Sequence, residues 1–80
     1  MTLFEVAYLF ADGKPSVIRL SEPTDENTAA HKAIEIANDH EFDTCVVKAN
    51  TDEVIQTIRY YPVGHARKVD PRVNGSATPK

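Results

Sequence analysis

Residues 24–40, TDENTAAHKAIEIANDH, form the one stretch that reads as a helix from start to finish, and the fold follows from what that helix must lie on. At about 100° per residue, Ala29, Ala30, Ala33, Ile34, Ile36 and Ala37 gather on one side, with Lys32, Glu35, Asn38 and Asp39 on the other. Pro23 blocks an earlier start. Thr24 is the expected N-cap, because its hydroxyl can accept an orphan backbone N–H and because Asp25 and Glu26 then sit at the positive end of the helix dipole. Four of the six stripe residues are alanine, so the axis can approach a flat partner closely while contributing little apolar area of its own. The partner must supply the bulk, and a β-sheet is the flat partner available.

Upstream, residues 2–10, TLFEVAYLF, alternate Phe4, Val6, Tyr8 and Phe10 against Leu3, Glu5, Ala7 and Leu9, the pattern of a heavy strand suited to a central place. Asp12-Gly13 signals a hairpin, and residues 16–21, SVIRLS, return from it. Parity selects the loop length. A two-residue loop would set Arg19 among the aromatics, whereas an odd loop with a glycine bulge pairs Tyr8 with Ile18 and Val6 with Leu20 and places Arg19 opposite Ala7, diagonal to Glu5. Downstream, residues 44–49 and 54–61 flank the turn Asn50-Thr51-Asp52-Glu53. An even loop there gathers Cys45, Val47, Ala49, Val54, Ile58 and Tyr60 under the helix with Gln56 as the one misfit, leaving Thr44, Val46, Lys48, Ile55, Thr57 and Arg59 on the other face.

The expectation is an α+β domain over residues 1–62, ordered β-β-α-β-β, with a four-stranded sheet covered on one face by one amphipathic helix. Residues 63–80, with two glycines, two prolines and no periodicity, read as a flexible, disordered basic tail. The Asp12-Gly13 turn, the helix opening at Thr24 and running through Ala29, Ala30, Ala33 and Ala37, the Val46-Val47 strand, and Asp52 before Val54-Ile55-Gln56 together resemble small uncharacterised bacterial domains of strand-strand-helix-strand-strand layout. The resemblance spans roughly residues 4–61, departs from those domains in lacking Trp and a glycine in the second turn, and implies a fold and a bacterial origin without implying any site residue.

Eighty residues sit near the size at which a core is only just sufficient, burying roughly 60% of the unfolded surface, so oligomerisation would stabilise the domain. One cysteine, Cys45, excludes an intramolecular disulfide and a multi-cysteine zinc site, and a reducing, cytoplasmic setting is the expectation. No apolar run approaches a membrane span, so a soluble chain without a membrane partner is expected. Through Tyr60, five Lys and Arg stand against eleven Asp and Glu; from Tyr61 on, four stand against one, an acidic body with a basic tail.

On these registers the helix-free face presents Leu3, Leu9, Val17, Arg19, Val46, Lys48, Ile55 and Arg59, too apolar for plain solvent and too charged for a sealed core. It is the expected interface of a protein-binding module, with a homodimer closed by a two-fold axis as the leading form. The alternative is a weak nucleic-acid or anion binder using Arg19, Lys48, Arg59, Arg67, Lys68 and Arg72, which the acidic body and inward-pointing aromatics disfavour. Chemistry finds little support. Asp39, His40, Glu41, Asp43 and Cys45 match no zinc or calcium spacing, a Cys45 nucleophile with His40 as base would need a thiolate in the core, and three glycines form no phosphate loop. No catalytic residue, metal or cofactor is assigned, and a non-enzymatic role is expected.

Overall fold

The computed structural model describes residues 2–62 and the strand formed by residues 67–69. The elements are β1 (Phe4–Leu9), β2 (Pro15–Arg19), α1 (Glu26–His40), β3 (Thr44–Lys48), β4 (Val54–Arg59) and β5 (Arg67–Val69). The expected β-β-α-β-β order and α+β class hold, with all neighbours antiparallel in the order β2-β1-β3-β4-β5. The heavy first strand lies inside the sheet, between β2 and β3. Because β2 and β3 both run antiparallel to β1, the chain between them crosses over β1, and α1 makes that crossing. The short β5 extends the sheet from within the stretch read as tail; the rest of that stretch lies outside the described residues.

The helix begins one residue later than Thr24 capping would set it. Thr24 exchanges both backbone hydrogen bonds with Phe4, at 2.7 and 2.9 Å, which holds it extended beside β1. Asp25 caps instead, accepting from the Thr28 backbone N–H at 3.0 Å and from the Thr28 hydroxyl at 2.7 Å. Those two donors, the backbone N–H first, hold the Asp25 carboxyl below its ordinary pKa. At the other end Glu41 turns into the left-handed region, φ 60°, and its N–H closes on the Ala37 carbonyl at 2.8 Å.

In the first hairpin the odd loop is present. Residues 11–13 form it, Phe10 N–H donates to the Lys14 carbonyl at 2.9 Å, and Gly13 takes φ 86°, a conformation that penalises any Cβ. Ala7 faces Arg19 as expected, and a shift between there and the Leu9–Pro15 pair absorbs the difference in register. The second hairpin departs from expectation. Its loop is even, but Val54 faces Val47 where the turn at residues 50–53 would set Ala49, and β4 then carries an extra residue, Ile55, so Val46 meets Gln56, Cys45 meets Thr57 and Thr44 meets Ile58. That bulge moves Gln56 and Ile58 to the opposite side of β4 relative to Val54.

The helix-side core therefore joins Val6, Val46 and Ile58 to Ala29, Ala30, Ala33 and Ala37, with Phe4, Ile34 and Ile36 packed around them. Thr44 is on this side too, its hydroxyl donating to the Ala33 carbonyl at 2.8 Å. Gln56 also faces the helix and donates to Glu26 Oε2 at 2.7 Å, while its own Oε1 is buried without a hydrogen-bond donor. Cys45 and Val47, expected under the helix, occupy the reverse face. All four residues from Thr44 to Val47 are fully buried, so β3 has no polar side from which its orientation could be read.

Candidate association surface

The helix-free face is neither bare nor open. Ala7, Leu9, Cys45 and Val47 form a second apolar cluster there, with Val54 packed against it, and none of the four is more than 3% exposed. Arg19 closes it. From the edge strand β2 its side chain reaches past β1 and β3: Nε lies 3.3 Å from Glu5 Oε1, Nη2 lies 2.9 Å from Asp52 Oδ1, Nη1 donates to the Ser16 carbonyl and Nη2 to the Thr51 carbonyl. One guanidinium thus ties β1, β2 and the β3–β4 loop together over the second cluster. Its planar fork of donors suits this bridging role, which a single ammonium would not reproduce.

Of the interface residues expected from sequence, two are corrected outright. Val46 is fully buried beneath the helix, and Lys48, opposite Phe4 in register, shares the helix side of β3 and pairs with Glu53 at 3.8 Å. Leu9 is on the expected face but sealed in the second cluster, and Ile55 is the half-buried bulge residue. Arg59 donates to Asp43 Oδ2 at 3.0 Å, while Asp43 Oδ1 accepts from the Tyr60 backbone. Leu3 and Val17 remain accessible, Val17 at 81%. Arg19, Lys48 and Arg59, three basic residues of the nucleic-acid alternative, are therefore each held by an internal carboxylate. Of the other three, Arg67 and Lys68 belong to β5 and Arg72 lies outside the described residues.

The accessible apolar residues gather elsewhere, around the β1–β2 hairpin. Ile18 is 68% exposed, and Phe10 and Leu20 are exposed as well. Sequence parity pairs Ile18 with Tyr8 under the helix, but the β1–β2 register shifts between the Ala7–Arg19 and Leu9–Pro15 pairs, and Ile18 is left exposed. The helix α1 packs on β1, β3, β4 and β5. It is offset toward the β5 side of the sheet, and the edge strand β2 makes little contact with it. The width of the sheet relative to one helix is the signal that could have found this surface. Nearby, Phe10, Tyr8, Phe42 and His40 form a row of rings with centroids 5.1, 5.0 and 5.4 Å apart, which anchors the base of the hairpin to the end of α1.

The residues weighed for chemistry do not converge. Cys45 is fully buried and desolvation pushes its thiol up to about 11, a protonated and unreactive state near neutral pH. His40 stacks on Phe42 instead of approaching it. Among the described residues no three His, Cys, Asp or Glu side chains are grouped to hold a metal ion, and no helix is long and apolar enough to cross a membrane. Comparison with protein-family models, with curated proteins and with solved structures returned no match.

Proposed function

We propose that this chain is a non-enzymatic association module that pairs with a protein, itself or another, through the β1–β2 hairpin and the free edge of β2. The observation that carries this reading is the exposure of Val17 and Ile18, at 81% and 68%, on the outermost strand of a sheet whose other apolar residues are largely enclosed. An outer strand presents unpaired backbone groups, and exposed aliphatic side chains beside them supply apolar area that a partner can remove from water. The helix-free face is a poorer surface because Arg19 and its carboxylates already occupy it. A cytoplasmic setting suits the free, buried thiol.

Sedimentation velocity from micromolar to millimolar concentration tests the reading, with the wild-type chain compared to Ile18→Asp and Val17→Asp. Concentration-dependent association that either substitution abolishes, with an unchanged circular dichroism spectrum, supports it. Association that both substitutions leave intact overturns the hairpin edge as the surface.

A further inference from the structure

We infer that the partner is a foreign protein presenting a cationic amphipathic helix, whose apolar stripe covers Ile18 and Leu20 and whose Lys or Arg side chains meet the carboxylates around them; the inference rests on the hairpin being the association surface.

The backbone of β2 decides the mode of contact. Pro15 has no N–H, the Ile18 N–H donates to the Ser16 hydroxyl at 3.1 Å, and the Ser16 carbonyl already accepts from Arg19 Nη1. The pairing of β2 with β1 also shifts register between Ala7 and Leu9. A foreign strand laid along residues 15–18 therefore finds few backbone groups free in ladder positions. Side chains must carry the contact, and the hairpin is rich in apolar ones. Among the described residues six large apolar side chains are exposed, and four of them, Phe10, Val17, Ile18 and Leu20, fall within residues 10–20. A helix suits such a surface, because it binds through a stripe of side chains while its own backbone groups, the ends apart, are satisfied internally.

Charge selects the partner's chemistry. Arg19, Lys48 and Arg59 are matched within the chain by Glu5, Asp52, Glu53 and Asp43. The other seven carboxylates before residue 61 are all exposed and, among the described residues, enter no ion pair; only Lys14 and Lys32 stand against them. Several border the hairpin. Asp12 is in its loop, and Glu22 shares with Leu20, Thr28 and Lys32 a shallow, open groove of about 380 Å³. Asp25 holds Thr28 in the wall of that groove, and Glu41 separates His40 from Phe42 along the chain where the row of rings leads to Phe10. A second copy would set two such surfaces of like charge against each other, whereas a cationic helix neutralises them and is steered to them. An apolar side chain of that helix can lie against Leu20 in the groove while the cation beside it reaches Glu22.

Fluorescence anisotropy with the full chain and two synthetic helical peptides tests this, one built of leucine and lysine in an amphipathic pattern and the other with every lysine replaced by glutamate. The lysine peptide should bind, more weakly as salt rises, and the glutamate peptide should not. Ile18→Ser should weaken binding about ten-fold, the loss of one buried aliphatic contact. Glu22→Lys should weaken it about five-fold, and clearly more than Glu35→Lys, which makes the same change of charge on the outer side of α1. Equal losses for Glu22→Lys and Glu35→Lys, or undiminished binding by Ile18→Ser, would mean adhesion to the acidic body and overturn the assignment. A lysine peptide that does not bind, or a glutamate peptide that binds as well, overturns the cationic partner. Sedimentation velocity with Ile18→Asp and Val17→Asp then judges the hairpin separately: wild-type association that they abolish makes a second copy the occupant, and association that they leave intact removes the hairpin surface itself.

Discussion

Replacing Arg19 by alanine tests whether the second apolar cluster depends on its guanidinium cover. The Arg19 side chain is 18% exposed and the Glu5 side chain 14%, so their ion pair is largely removed from water, whereas Asp52 is 67% exposed. Truncation leaves the Glu5 carboxylate enclosed without its cation and opens the surface above Cys45 and Val47. A charge-assisted hydrogen bond lost from such a site costs about 1.5–3 kcal/mol, and a wholly buried pair would cost more. The exposed Asp52 arm adds at most about 0.5 kcal/mol. We expect Arg19→Ala to cost about 2–3 kcal/mol, a large share of the roughly 4–12 kcal/mol that a domain of this length possesses. Asp52→Asn should cost less than about 0.5 kcal/mol. The assay is urea unfolding followed by circular dichroism, with a double-mutant cycle of Glu5→Gln and Arg19→Ala to isolate the pair. A loss below about 0.5 kcal/mol for Arg19→Ala, or equal losses for Arg19→Ala and Asp52→Asn, refutes the closing role.

Three further outcomes follow from the fold. Ile58→Ala removes a fully buried side chain from the helix-side core and should cost about 2–5 kcal/mol in the same unfolding assay; a smaller loss would mean that β4 does not present Ile58 to the helix. Gly13→Ala meets no atom within 4 Å but forces a Cβ into φ 86°, so it should cost about 1–2 kcal/mol through strain alone, with Gly13→Asn costing less; equal costs for both would contradict the left-handed turn. Because burial raises the Cys45 thiol above its unfolded value, its contribution to stability is full below the unfolded pKa near 9 and is lost as pH rises toward about 11. Stability curves of wild type and Cys45→Ala should therefore converge over that alkaline window, and parallel curves would refute the assignment.

Much of the architecture is legible in the chain. The alanine stripe opposite Lys32 and Glu35, the alternation of Phe4, Val6 and Tyr8, and Asp12-Gly13 are local signals, and each specifies its element through geometry that neighbouring residues alone impose. They determine the element order, the odd first loop, the opposition of Ala7 to Arg19 and the interior place of the first strand. Arg19 beside Glu5 was legible for the same reason, since it follows from the register of a single hairpin. The exposed apolar residues are legible only in part: Val17 falls on the face read as open, while the alternation turns Phe10 and Ile18 toward the helix, because a sequence does not say how much of a sheet one helix covers.

Tertiary structure alone decided which way β3 and β4 face. Thr44 to Val47 carry no polar alternation, so either orientation is permitted locally, and the choice rests on Val6 pairing with Val46 and on the Thr44 hydroxyl finding the Ala33 carbonyl across the layers. The bulge at Ile55 answers the same need. It keeps Val47 with Val54 on one face and delivers Ile58 to the other, a compromise between two apolar layers. Local periodicity specifies where a strand lies and which residues share its sides; which side is turned inward is a property of what packs against it.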